Sequence, residues 1–330
     1  MTGETLRLAL AGDTMLGRMV GKVLAEEPHR ALFSDEVVAA VREADLFVLN
    51  LECCISERGE RWADPSKPFF FRAPPRAVEV LKQLGVDCVT LANNHALDYG
   101  PVALEDTLDL LAGADIEVVG AGRNLAEARR SALLSHHGFR LRVVGFTDHP
   151  AEFGAGEETP GVAYTDLGGG VPGWVLDTLS VEGDSAVLVT PHWGPNMTAS
   201  PVRRVREAAT SLVEVGATLV AGHSAHVFHG VAGRVLYDLG DFVDDYAVDH
   251  HLRNDLGLLF LVDLGPYGPR RLEAVPLALE FCHTRLARAD EAARIAHRFQ
   301  VACAEFGTDV DVSGDRLVVE WPRGVRGMNL

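Results

Sequence analysis

Residues 87–98 read DCVTLANNHALD. Asp87 to Leu91 is a short run of apolar and β-branched side chains, the composition of a buried strand, and it stops at Asn93-Asn94-His95, with Asp98 one turn further on. In α/β sheets ligands bind beyond the carboxyl ends of strands, so a strand ending in lone-pair donors sets them where a ligand would sit. The same pattern recurs on both sides. Leu6–Leu10 ends at Gly12-Asp13, Leu46–Leu49 runs into Asn50-Leu51-Glu52, Val187–Thr190 ends at His192-Trp193-Gly194, and Leu219–Ala221 ends at Gly222-His223-Ser224-Ala225-His226. Segments with apolar residues at helical spacing lie between these strands, at Arg18–Glu26, Asp35–Ala44, Pro74–Leu84, Val102–Ala112 and Val202–Val215. Repeated strand–helix–strand units predict an α/β fold with many parallel neighbours and helices on the sheet faces.

Each strand end has an ordinary reading by itself. Asp13 can cap the following helix, Glu52 can pair with an arginine, Asn94 and His95 can stabilise a turn, and His192 can be a core histidine bonded to a carbonyl. Five such ends converging on Asp, Glu, Asn and His describe a mixed oxygen and nitrogen shell for a divalent ion.

Composition bounds the alternatives. The 330 residues carry 30 Lys+Arg against 47 Asp+Glu, a net charge of −17, which opposes binding to nucleic-acid backbones and anionic lipid. Hydrophobic residues at 47% and charged ones at 23% exclude bulk disorder. The five cysteines form an odd set without a CxxC pair, which argues against a disulfide framework or a structural zinc module. No stretch of roughly 18 uncharged apolar residues occurs, so no membrane span is expected and the chain reads as cytoplasmic. The Gly/Pro-rich stretch between the strands at Leu141–Thr147 and Ser185–Thr190 reads as a surface excursion or lid. No linker rich in glycine, serine or charge divides the chain, which predicts one compact unit.

Other polar residues look like ligand-binding accessories. Arg72, stiffened by Pro74-Pro75, can clamp a phosphate or carboxylate or form a surface ion pair. Asp238, Asp241, Asp244 and Asp245 read as a solvated turn, with Asp241 singled out as an outer acceptor for ligand histidines. Phe69, Phe70 and Phe71 read as core or lid packing.

Seven ordered motifs carry a family resemblance: GDTMLGR from Gly12, NLE from Asn50, FRAPP from Phe71, LANNHALDYG from Leu91, HWGPN from His192, GHSAH from Gly222 and LYDLGDF from Leu236. Together they resemble the CapA family of capsule and poly-γ-glutamate biosynthesis proteins, within the calcineurin-like metallophosphoesterase superfamily. The resemblance implies a four-layer α/β/β/α sandwich of metallo-dependent phosphatase type, with residues 1–287 as the CapA-like domain. Residues 288–330, a helix at Asp290–Phe306 and a strand at Arg316–Trp321, are expected to pack on it as an extension.

Carried over by residue, the resemblance implies that Asp13 binds one metal, Glu52 bridges two, Asn94, His192 and His223 complete the second, and His226 returns to the first. His95 is the implied catalytic acid or charge stabiliser, with Asp98 beside it. One or two divalent ions, Mn, Fe or Zn, are expected. The implied function is a metal-dependent hydrolase of a phosphoester or γ-glutamyl-type amide that uses metal-bound hydroxide. The alternative is a non-catalytic accessory protein of polymer synthesis, working beside an amide ligase with a structural or vestigial metal. Three departures bear on the first metal. Met15 stands where the superfamily has the histidine of Asp-x-His, Glu52 replaces an aspartate, and GHSAH replaces GHHPH. A thioether is a poor ligand for hard ions, so either that position is weak or a side chain such as His229 or Asp241 replaces the nitrogen.

Overall fold

Strand Leu6–Thr14 sends its side chains alternately into two different cores. Leu6, Leu8 and Leu10 belong to one apolar cluster and Ala9 and Ala11 to another. Its neighbour Leu46–Leu51 does the same, with Leu46 and Val48 on one side and Phe47, Leu49 and Leu51 on the other. This period-2 alternation, apolar on both faces, is what a strand buried between two layers requires. The computed structural model describes residues 5–27, 31–179 and 185–321.

Among the described residues the strands form two main sheets. The larger, of ten strands, runs in the order Asp311–Ser313, Arg316–Glu320, Gly268–Glu280, Leu256–Gly265, Leu6–Thr14, Leu46–Leu51, Cys88–Thr90 and Glu117–Val119. Asp241–Val243 pairs beside Leu6–Thr14, and His283–Leu286 beside Gly268–Glu280. The half from Leu6 to Val119 is parallel, and the half built from the C-terminal strands is antiparallel. The second sheet, of six strands, runs Val231–Ala232, Val235–Leu236, Leu219–Ala221, Ala186–His192, Phe139–Thr147 and Ala132–His136.

Three cores define four layers. The central cluster packs Leu8, Leu10, Val48 and Phe260 of the first sheet against Leu141, Val143, Leu188 and Leu219 of the second. The outer face of the first sheet is covered by helices Arg18–Glu26, Asp35–Val41, Ala77–Leu84 and Gly100–Ala112, through residues such as Val20, Val37, Leu81 and Leu104. The outer face of the second sheet is covered by Gly173–Leu179 and Arg203–Val215, through Val175, Leu179, Ala209 and Leu212. The arrangement is an α/β/β/α sandwich. Helix Ala289–Ala304 buries Ile295, Phe299 and Cys303 in the central core, and strand Arg316–Glu320 pairs with Gly268–Glu280. Residues 322–330 of the expected extension lie outside the described residues.

The structure revises several sequence expectations. The first strand continues to Thr14, and a short helix at Leu125–Ala128 is followed by the hairpin of Ala132–His136 with Phe139–Thr147. The stretch after Thr147 is packed rather than a lid. Phe153 and Val162 enter the core under the first helical layer, and Leu167, Val175 and Leu179 the core under the second. Among the described residues, no helix is long and apolar enough to cross a membrane.

Across the antiparallel half of the larger sheet, Glu273 accepts hydrogen bonds from Arg7 at 2.6 Å, Arg271 at 3.0 Å and Arg316 at 2.6 Å. Burial pushes its carboxyl up, but the hydrogen bonds and charges of Arg316, Arg7 and Arg271 outweigh this and hold it at about 2. A carboxyl whose folded pKa is depressed stabilises the fold above its unfolded pKa, and that contribution disappears as pH falls toward the folded value. Replacing Glu273 with Gln should therefore lower the urea-derived stability by roughly 1–2 kcal/mol at pH 7 and by almost nothing at pH 2. Equal losses at both pH values would show that the carboxylate charge does not matter.

Candidate metal centre

One extra residue aims the first candidate ligand. Ala11 pairs with Leu49, but Asp13 pairs with Asn50, so Gly12 is inserted into the ladder as a bulge. Without that insertion Asp13 would share the face of Ala9 and Ala11, under the helices. With it, Asp13 turns toward Asn50, whose Nδ2 donates to Asp13 Oδ1 at 2.7 Å. Only glycine fits at position 12, because a Cβ there would lie 1.7 Å from the carbonyl oxygen of Gly240. That close approach lets Asp13 N–H bond to Gly240 O at 2.8 Å and brings strand Asp241–Val243 alongside, with Asp241 opposite Asp13.

Asp13, Glu52, His226 and Asp241 are all buried, and one ligand atom from each lies within 4.8 Å of the others. His226 Nδ1 sits 2.8 Å from Asp241 Oδ1 and 3.3 Å from Asp13 Oδ2. Its backbone is in the left-handed region at φ 59, as is that of Ser224 at φ 115, so the GHSAH turn is strained. Asp238, from the neighbouring turn, holds that geometry by accepting from Ala225 N–H and Gly240 N–H. Met15 does not join the group, since its sulfur accepts from Gly17 N–H at 3.1 Å. Of the two side chains weighed as a replacement, Asp241 belongs to the group and His229 is elsewhere, its Nε2 on Thr198 O.

The second sheet contributes from its own strand ends. His192 and His223 form a bridge between adjacent parallel ends, His223 Nε2 is 2.9 Å from Thr190 Oγ1, and its Nδ1 lies 3.5 Å from Asp13 Oδ1. His192, His223 and Asn94 stand outside the four-residue group. They share with it a property that decides the reading. Asp13 Oδ2, Glu52 Oε1, Asn94 Oδ1, both ring nitrogens of His192, His223 Nδ1 and Asp241 Oδ2 are buried with no hydrogen-bond partner among the described residues. Buried polar atoms without partners are rare and costly, and orphaned oxygens and nitrogens at one set of strand ends fit divalent-ion ligation.

The electrostatics agree. Burial, then the Asp13 charge, pushes Glu52 far above the usual carboxylate range, and burial with the Asp244 charge does the same to Asp241. Burial also acts to raise Asp13, but His223, His226 and His192 reverse it and hold that carboxyl below its ordinary value. Burial pulls His192 well below the ordinary imidazole value, leaving a neutral ring with one nitrogen lone pair to offer. Asp238, Asp241, Asp244 and Asp245 are all buried, which overturns the solvated-turn reading of that cluster.

His95 forms a separate unit at the same mouth. Its Nδ1 lies 2.6 Å from Asp98 Oδ2, its ring stacks on buried Phe71 at 3.8 Å, and burial lowers it to about 4 despite Asp98. Asp98 is further held by Phe71 N–H at 2.6 Å and Lys67 Nζ at 3.0 Å. Arg72 is engaged elsewhere. It donates to the carbonyls of Arg58 and Gly59 and lies 4.0 Å over the Tyr99 ring. Sequence reasoning missed Tyr246, whose hydroxyl donates to Glu52 Oε2 at 3.2 Å, because nothing in a lone tyrosine after an acidic run marks it.

The family model for the bacterial capsule synthesis protein PGA_cap matches residues 7–246. A Mycobacterium tuberculosis protein named "Probable polyglutamine synthesis accessory protein" is 32% identical over 87% of this chain and 88% of its own length. The Bacillus subtilis PGA biosynthesis protein CapA is 29% identical over 76% of this chain and 69% of its own. Among solved structures, Haemophilus influenzae NAD nucleotidase is similar at a TM-score of 0.39 and 10% identity, over 87% of this chain and 50% of that one.

Elemental mass spectrometry of chelator-stripped protein re-equilibrated with limiting Mn²⁺ or Zn²⁺ tests the ligand set. Asp13→Ala and His192→Ala should each weaken uptake about tenfold or more, whereas Arg72→Ala leaves it unchanged. Full metal content in both ligand variants would remove the assignment.

Proposed function

Because this chain belongs to the bacterial capsule synthesis protein family PGA_cap, we propose that it is a metal-dependent hydrolase of a γ-glutamyl-type amide or a phosphoester. The observation that carries this reading is the set of orphaned buried atoms on Asp13, Glu52, Asn94, His192, His223 and Asp241. Asp13, Glu52, His226 and Asp241 would hold one ion, and Asn94, His192 and His223, with Glu52 shared, a second. The mixed carboxylate, amide and imidazole donors suit Mn, Fe or Zn. Such ions, when bound, acidify water and neutralise charge developing on an acyl or phosphoryl oxygen.

The chain's own residues supply the rest. Asn50 fixes the Asp13 carboxylate and Tyr246 fixes that of Glu52, so both are oriented before substrate arrives. His95 handles protons. With Nδ1 committed to Asp98, a neutral His95 accepts a proton at Nε2, the Asp98 carboxylate stabilises the resulting imidazolium, and the ring then donates to the leaving atom. Stacking on Phe71 and the salt bridge from Lys67 to Asp98 keep the pair in place.

A second reading rests on one sequence feature, the thioether of Met15 where the superfamily motif has a histidine, together with the relative named as an accessory protein. In it the ions are structural and the chain works beside an amide ligase of polymer synthesis. The two readings separate on turnover. With Mn²⁺, the parent should hydrolyse γ-glutamyl-4-nitroanilide or bis(4-nitrophenyl) phosphate, and His95→Ala should lower kcat about 100-fold at unchanged metal content. A parent inactive on both substrates with Mn, Fe and Zn, while fully metallated, would favour the accessory role.

A further inference from the structure

Arg18 closes the GDTMLGR stretch, five residues after Asp13, and the metal centre makes no use of it. Its backbone sits at φ 47, in the left-handed region that a residue with a Cβ disfavours. Neighbouring structure must therefore hold it there, and Asp245 does. That buried carboxylate places Oδ1 3.2 Å from Arg18 Nε and accepts Met19 N–H on Oδ2 at 2.8 Å.

The guanidinium stands among three rings, 5.4 Å from the centroid of Phe69 and 5.9 Å from those of Phe71 and Tyr246. Two of these rings wall the candidate centre, since Phe71 stacks on His95 and Tyr246 bonds to Glu52. About a third of the Arg18 side chain, 34%, is open to solvent. Among the described residues, neither terminal nitrogen has a hydrogen-bond partner. Lys67 and Arg72, by contrast, spend their donors inside the protein, on Asn94 O and Asp98 and on the carbonyls of Arg58 and Gly59. An ion pair with Asp245 explains Nε alone. It does not account for a planar fork held among aromatic rings with its paired N–H groups free.

We propose that Arg18, braced by Asp245 and flanked by Phe69 and Tyr246, is a preorganised anion-binding platform beside the metal centre. It takes an anionic oxygen group of the substrate, a carboxylate or a phosphate, in a two-point contact. The chain's net charge of −17 repels such substrates in general, so a local positive handle at the mouth is what an anionic chain requires. The identity of the substrate rests on the hydrolase reading, but the platform itself is read by binding.

Calorimetric titration of γ-linked triglutamate and of phenyl phosphate, with and without Mn²⁺, tests it on the parent, Arg18→Gln, Arg18→Lys and Phe69→Ala. Arg18→Gln should weaken at least one probe about tenfold at unchanged metal content, with Arg18→Lys intermediate because an ammonium lacks the fork. Phe69, largely exposed, is safe for folding, and Phe69→Ala should weaken the same probe about threefold. An effect on triglutamate identifies a carboxylate, and an effect on phenyl phosphate a phosphate. Unchanged affinity for both probes in Arg18→Gln, or in Phe69→Ala should the first variant not fold, overturns the platform. So does a parent that binds neither probe. Binding that depends on Arg18 without turnover of any substrate supports the platform and removes the hydrolase reading.

Discussion

Three carboxylates and an imidazole are buried within 4.8 Å of one another, and the rest of the structure is arranged around that fact. Like charges so close and so dry repel strongly, and the protein gives Asp13, Glu52 and Asp241 too few hydrogen bonds to offset it. Two resolutions exist: the carboxyls take up protons, or a cation shares them. The unpaired nitrogens of His192 favour the cation, because among the described residues no carboxyl lies within ion-pair distance of that ring to donate a proton to it. The surrounding frame is rigid where it touches these groups, with Asn50, Tyr246 and Asp238 each fixing one part of the cluster or the turn behind it.

The sandwich exists, in functional terms, to bring strand ends from two sheets to one place. The larger sheet supplies Asp13, Glu52 and Asn94, and the smaller supplies His192 and His223 from adjacent parallel strands. A single glycine bulge turns Asp13 from the helical side to the intersheet side, and the same glycine admits the Gly240 carbonyl that seats Asp241. Met15 keeps its sulfur on Gly17 N–H, and the four-residue group has three carboxylates to one imidazole, a donor set rich in oxygen.

Much of this was legible in the sequence, for physical reasons. Strands buried on both faces read as short apolar runs, and their stops at Asp, Asn and His fell within a few residues of the strand ends. The four layers were implied by family resemblance and follow independently from the three cores. What could not be read were effects of one residue's displacement. Gly12 before Asp13 looks equally like a helix entrance, so the bulge was invisible. Asp244 and Asp245 read as a solvated turn because burial of an acidic run depends on strand Asp241–Val243 docking beside Leu6–Thr14, a pairing with no periodic signal. Arg72 looked like a clamp from its prolines, yet its guanidinium is used to brace the loop at Arg58 and Gly59.

Family membership supplies the biological setting, and the site's geometry supplies the chemistry; they meet in the claim that these strand ends are a divalent-metal centre. Anomalous diffraction from crystals of the protein, collected on either side of the Mn, Fe and Zn absorption edges, addresses that claim directly. A metal centre there gives an anomalous peak enclosed by Asp13, Glu52, His226 and Asp241, with a second beside Asn94, His192 and His223. Crystals grown with excess metal that show no anomalous density there, with water bonded to the same atoms instead, would contradict it.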